Sequence, residues 1–137
     1  MLKSVENSKG KLNTTPVVFA VDDDPAILRI IEAQLTRHEY VVKTAANGED
    51  ALAMLREVTP DVLILDVMMD GVSGYDVCHI IKRDERLKDV PVIFLTARGN
   101  PEDFKLGHSL GAVLYMVKPL KVDKLVNLVQ MLAPIHA

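Results

Sequence analysis

From Pro16 onward, short apolar runs alternate with segments in which apolar residues recur every three or four positions. Val17–Val21 is a continuous β-branched and aromatic run, the pattern of a parallel strand covered on both faces. Asp24 then Pro25 reads as a helix cap followed by proline in the first turn. Ile27, Ile30, Ile31, Gln34 and Leu35 fall at helical spacing and predict a helix to about His38. Tyr40–Thr44 predicts a second strand, and "ANGEDALAMLREV" a second helix with Ala51, Leu52 and Leu55 inward. "DVLIL" is the third strand, ending at Asp66, and a loop containing Gly71 leads into a helix from about Gly74 to Arg83 that packs on Val77, Cys78 and Ile81. "VPVIFLT" is the fourth strand. Asn100 and Pro101 repeat the cap-plus-proline signal of a fourth helix, with Gly111 at its C′ position. "VLYMV" is the fifth strand, and Val122–Leu132 the last helix, with Leu125, Leu128, Val129 and Leu132 on one stripe.

Strands alternating with helices imply βαβ units, right-handed crossovers and a parallel sheet with helices on both faces. The pattern therefore predicts a five-stranded doubly wound α/β domain with five helices. Its bounds are residues 16–133, after a polar, aperiodic arm over 1–15 and before a tail over 134–137. The tail "APIHA" is too short for a further domain, which leaves a single-domain protein acting by direct contact or a fragment of a longer protein.

Composition narrows the class without changing the fold. The 137 residues suit one core, and 49% hydrophobic with 26% charged residues is an ordinary globular balance. A net charge of −3 gives no electrostatic footprint for nucleic acid, so the expectation is no direct nucleic-acid contact. The single cysteine, Cys78, excludes an internal disulfide and reads as half-buried helix packing. No apolar run approaches the roughly 20 residues that span a bilayer, and the first residues lack a signal core; a cytoplasmic location without membrane contact is expected. His38, His79, His108 and His136 show no metal-ligand spacing and are expected at the surface. Met54, Met68, Met69 and Met116 read as core and loop filler.

The chemistry gathers where the strands stop. The first finishes in Asp22-Asp23, the third in Asp66, the fourth in Thr96 and the fifth in Lys118. A parallel sheet places all its carboxyl ends along one edge, where ligands bind. Two carboxylates about 5 Å apart at an effective dielectric of about 20 repel by roughly 3 kcal/mol, a large share of a marginal stability of about 5–15 kcal/mol. Lys118 offsets one charge, and a divalent cation can offset the rest. Oxygen ligands open to water favour Mg2+. A carboxylate, a cation site, a lysine and a hydroxyl around one vacancy suit phosphoryl transfer, with Asp66, alone on the central strand, as nucleophile. Asp24 is the helix cap rather than a ligand.

"VDDDP", "LILDVMMDGVSGYDV", "PVIFLTAR", "LGAVLYMVKP" and the five βα units resemble the receiver domain of two-component response regulators, over about residues 16–133. The resemblance implies a flavodoxin-like sheet of order 2-1-3-4-5 and an aspartyl-phosphate switch. Asp66 would accept the phosphoryl group from a sensor histidine kinase or a histidine phosphotransfer protein. Asp23 would hold Mg2+ directly, Asp22 through water, and Met68 by its backbone carbonyl. Lys118 would pair with a phosphoryl oxygen, and its peptide bond to Pro119 would be cis. Thr96 would bind the phosphoryl group, Ala97 would leave room for it, and Tyr115 would be the aromatic rotamer that follows Thr96. The face made by the fourth helix, fifth strand and fifth helix would then change for a downstream effector protein or domain. The chain would act as a monomer or weak dimer, and would be no enzyme beyond assisting its own phosphorylation and dephosphorylation.

Two positions depart from the family pattern. Asp70 stands where a proline is frequent, and Val113-Leu114 replaces an acidic pair common before the switch aromatic. In many DNA-binding members those acids form inter-subunit salt bridges, so a different partner is expected on this face. Two other functions are compatible with parts of the pattern. A constitutive docking module that lost its chemistry would not need the full set of Asp22, Asp23, Asp66, Thr96 and Lys118. A haloacid-dehalogenase-type hydrolase would carry a second acid two residues after its nucleophile, where this chain has Met68.

Overall fold

The five apolar runs form one parallel sheet. The computed structural model describes residues 15–97, 105 and 114–135. In chain order the elements are β1 (Val17–Val21), α1 (Pro25–Arg37), β2 (Val41–Ala45), α2 (Gly48–Leu55), β3 (Val62–Asp66), α3 (Gly74–Ile81), β4 (Val92–Thr96), β5 (Leu114–Val117) and α4 (Val122–Leu132). The strands lie in the order β2-β1-β3-β4-β5, all pairs parallel. This is the flavodoxin-like order that the resemblance implies. Among the described residues there are four helices; the one expected between Asn100 and Gly111 lies outside them, as do the arm over 1–14, Val113, His108 and His136.

Alternate residues of each strand go to opposite faces of the sheet, and each face has its own core. Phe19, Val21, Leu63, Leu65, Val92 and Phe94 pack with Ala51 and Leu55 of α2 and Val77, Cys78 and Ile81 of α3. Val18, Ala20, Val62, Ile64, Ile93 and Leu95 pack with Ile31 and Leu35 of α1 and Leu125, Val126 and Val129 of α4. Because both faces are covered, every residue of β3 and β4 is buried, which is why their sequences show no polar alternation. Among the described residues no helix is long and apolar enough to cross a membrane.

Several boundaries differ from expectation by a residue or two. α1 ends at Arg37, and Glu39 takes a left-handed φ of 71° while its amide donates to the Thr36 carbonyl at 3.0 Å; this is the helix-ending geometry that glycine usually supplies. α3 stops at Ile81, and Lys82, still helical in backbone, ties the following turn by its Nζ, which donates to the carbonyls of Lys88 (3.0 Å) and Val90 (2.8 Å). Ile30 is 45% exposed: Ile31 and Leu35, one turn apart, take the buried face, and Ile30 sits to its side. Cys78 is fully buried rather than half-buried, in the α3 stripe. Met68 is 61% exposed, whereas Met69 is buried. His38 and His79 are exposed, as expected.

Candidate functional site

The register of the sheet sets Asp66 beside Leu95 and Thr96 beside Val117, so the ends of β3, β4 and β5 are level. The end of β1 closes the row: the Asp22 amide donates to the Ala45 carbonyl at 3.2 Å, carrying its pairing with β2 one residue beyond the strand. Asp22, Asp66 and Thr96 are the buried polar side chains at this edge, and Asp23 is exposed beside them.

Each of the three successive acids has a separate task. Asp22 Oδ1 accepts the Asp24 amide at 2.9 Å, which turns the chain out of the strand. Asp24 then caps α1 by accepting the Ala26 amide at 2.9 Å, as its sequence position predicts. The other Asp22 oxygen, Oδ2, is buried with no hydrogen-bond partner among the described residues; its near cation is Lys118 Nζ at 3.1 Å, an ion pair rather than a well-angled hydrogen bond. Asp23 is left free to face the site from the rim.

Asp66 ends β3, and the turn after it folds back at once: the Met68 amide donates to Asp66 Oδ1 at 3.3 Å and the Gly74 amide to the Val67 carbonyl at 3.1 Å. Gly74 opens α3 directly against the end of β3. A Cβ there would meet the Asp66 carbonyl oxygen at 2.3 Å and Val67 Cα at 3.1 Å, so only glycine lets α3 sit this close. Ser73 and Asp76 fix the helix start with a reciprocal capping box. From the far edge, the peptide between Lys118 and Pro119 is cis, and the Lys118 amide donates to the Thr96 carbonyl at 2.7 Å. Lys118 Nζ lies 3.4 Å from Asp66 Oδ1.

Carboxylate oxygens of Asp22, Asp23 and Asp66 lie within 4.8 Å of one another. Three carboxylates against one ammonium leave two negative charges. That charge imbalance, with Lys118 as the cation already paired to Asp22 Oδ2, fits a small divalent ion bound by oxygen. Burial, and then the charge of Asp22, push the Asp66 carboxyl up to about 6, against the lowering by Lys118 and the Met68 amide. Burial draws the Lys118 ammonium down, but its contact with Asp22 and the charges of Asp22 and Asp66 outweigh that and hold it above its ordinary value.

This has a consequence for stability. Asp66 ionises near 3.8 in the unfolded chain and near 6 in the fold, so between these values the folded chain binds the extra proton and stability falls as pH rises. In chelator, urea titrations should show wild type losing on the order of 2 kcal/mol relative to Asp66→Asn from pH 4 to pH 7. A constant difference across that range would show that Asp66 is not held against ionisation.

Beside the carboxylates lies an aromatic cluster. The Tyr115 ring packs on Phe94 with centroids 5.2 Å apart, Tyr75 meets Phe94 edge-on at 4.9 Å, and the Tyr75 and Tyr115 hydroxyls are 2.9 Å apart. Tyr115 was expected at this site. Tyr75 was not, and neither was the need for Gly74. A glycine after a serine cap was a readable local signal, but the partner of Tyr75 lies 40 positions along the chain.

A family model described as the response regulator receiver domain matches residues 18–130. The transcriptional regulatory protein AfsQ1 of Streptomyces coelicolor is 44% identical over 106 residues, which are 77% of this chain and 46% of that protein. The chain thus spans about half the length of this curated relative, and a relative that regulates transcription lends no support to a partner set without nucleic acid. The chemotaxis protein CheY4 of Vibrio cholerae superposes with a TM-score of 0.83 at 31% identity, over 87% of this chain and 99% of that one. The response regulator TrrA of Thermotoga maritima, in complex with Mg(2+)-BeF, superposes with a TM-score of 0.76 at 32% identity, over 86% and 99%.

Proposed function

Because the chain belongs to the response regulator receiver domain family, we propose that Asp66 accepts a phosphoryl group from the phosphohistidine of a sensor histidine kinase or histidine phosphotransfer protein, in a Mg2+-dependent reaction that switches a protein-interaction face. The observation that carries this is the meeting of Asp66 with Asp22, Asp23 and Lys118 at one mouth. TrrA, similar in fold, is a complex with Mg(2+)-BeF.

An Asp66 carboxylate oxygen attacks phosphorus, a P–O bond forms as the P–N bond of the donor breaks, and the donor ring, already protonated on its other nitrogen, leaves as neutral imidazole. Lys118 Nζ already stands against Asp66 Oδ1 at 3.4 Å and can follow the incoming charge onto a phosphoryl oxygen. Thr96, at the end of β4, offers its hydroxyl to the same group, and Tyr115 on β5 responds. Asp23, Asp22 through water, Asp66 and the Met68 carbonyl would hold the metal. A bound Mg2+ ion would neutralise negative charge on the phosphoryl oxygens in the transition state.

The chain on this basis turns over no separate substrate and acts through contact with an effector protein or domain. The domain bounds of 16–133 are supported by Tyr40, whose buried hydroxyl donates to the Ala133 carbonyl at 2.6 Å. A cytoplasmic location follows from the kinase partner.

Acetyl phosphate with Mg2+ should add one phosphoryl group per chain, mapped by borohydride reduction and peptide mass to Asp66, and none in EDTA. Addition at another residue, or addition indifferent to EDTA, would sink the proposal; no addition at all would favour the constitutive docking module.

A further inference from the structure

We propose that Tyr75 is a positioning residue for the switch: its hydroxyl holds Tyr115 against Phe94 and thereby sets how readily a phosphoryl group on Asp66 is read out. The inference rests on the receiver function proposed above.

The three rings form one contact group in which Phe94, wholly buried on β4, is touched by both tyrosines. Tyr75 comes from α3 and Tyr115 from β5, so the 2.9 Å bond between their hydroxyls ties a helix packed on the sheet to the strand beside β4. What distinguishes Tyr75 from an ordinary packing residue is where its backbone is fixed. It follows Gly74, which lies against the Asp66 carbonyl with no room for a Cβ and is bonded to the Val67 carbonyl. The capping box of Ser73 and Asp76 locks the same turn. Tyr75 is therefore one residue from backbone that touches the acceptor, and its hydroxyl touches the residue that reports on it.

The position of Tyr115 against Phe94, partly buried, is one that would be favoured further when Thr96 turns to the phosphoryl group. A hydrogen bond made in that position favours it before any phosphoryl arrives, and by linkage strengthens binding of a phosphoryl mimic by the same factor. The bond between the two hydroxyls is lost whichever tyrosine is changed, so the two losses are not independent.

The test is a double-mutant cycle on 3-fluorotyrosine-labelled protein, with 19F NMR following beryllofluoride titrations in saturating Mg2+. Tyr75→Phe should weaken the beryllofluoride midpoint by about twofold to tenfold, the span of one net hydrogen bond, and shift the Tyr115 resonance of the free protein. Tyr115→Phe should weaken it as well, and the double variant by less than the two single effects combined. Affinity for Mg2+ alone should not change. A Tyr75→Phe midpoint equal to wild type, or effects that simply add, would overturn the positioning role, since a tyrosine that only packs would lower the melting temperature and leave the midpoint alone. If wild type itself gives no beryllofluoride response, the receiver chemistry fails, and the positioning role with it.

Discussion

Asp66→Asn is expected to abolish phosphoryl acceptance while making the metal-free protein more stable. The amide nearly matches the carboxylate in shape, so the packing of the β3 end is preserved, yet it offers no anionic oxygen to attack phosphorus. Asp23 is the neighbouring acid with exposure to solvent; it comes from the end of β1, whereas Lys118 Nζ is paired with Asp22 and Asp66. Labelling by acetyl phosphate in Mg2+ should fall to background. The stability change runs the other way. At pH 7.5 wild type carries a buried carboxylate that the fold resists ionising, its pKa raised to about 6 by burial and by Asp22. Asparagine removes that cost, on the order of 2 kcal/mol, and should raise the melting temperature in EDTA by about 5 °C. The opposite signs make the experiment informative, because a variant that loses labelling through misfolding loses stability as well. Labelling retained in Asp66→Asn would exclude Asp66 as the acceptor.

The fold was readable because both of its periods are written in the chain. Strands buried on two faces appear as unbroken apolar runs, of which β3 and β4 are the clearest, and helix starts carry their caps at Asp24, Asn47 and Ser73. The site was readable for a topological reason. Once the runs are taken as parallel strands, the residues at their ends must share an edge, and Asp22, Asp66, Thr96 and Lys118 need no three-dimensional information to be grouped. Contacts between elements are another matter. The seat of Gly74 on Asp66 depends on the height at which α3 meets β3. The Tyr75–Tyr115 bond depends on side chains reaching around Phe94 from two sides. Nor does a one-dimensional pattern separate Ile30 from Ile31, since both fit a helical stripe and the tilt of α1 decides which is buried. Val113-Leu114 raises a point about the partner that stays on the sequence side: Leu114 opens β5 beside Ile93, and Val113 is outside the described residues.

Lys118→Ala is expected to convert the site from a balanced cluster into a stored repulsion whose size depends on pH and metal. Lys118 Nζ is the cation within contact of both Asp22, at 3.1 Å, and Asp66, at 3.4 Å. Asp22 is wholly buried and cannot turn to water for compensation. Removing one partner of a buried ion pair costs about 3–5 kcal/mol; the mouth is open enough to leave the Lys118 side chain 22% exposed, so a smaller loss, about 2–3 kcal/mol, is expected at pH 8 in EDTA. With the ammonium gone, the Asp66 pKa should rise further above about 6, because its lowering contribution disappears. The penalty is then full above that raised value and shrinks as pH falls toward 5 and Asp66 takes up its proton. Mg2+ should shrink it too, since a ligand of the native state stabilises by mass action and the variant site is more negative than the wild-type one. Lys118→Met separates charge from packing, for it keeps most of the apolar stem. If urea titrations show Lys118→Met as stable as wild type at pH 8 in EDTA, the lysine acts through its methylenes, and the electrostatic account of the mouth is wrong. If Lys118→Met instead loses as much as Lys118→Ala, and both recover at pH 5 and in Mg2+, the three acids are held together by charge, and a cation at the mouth does what Lys118 does only in part.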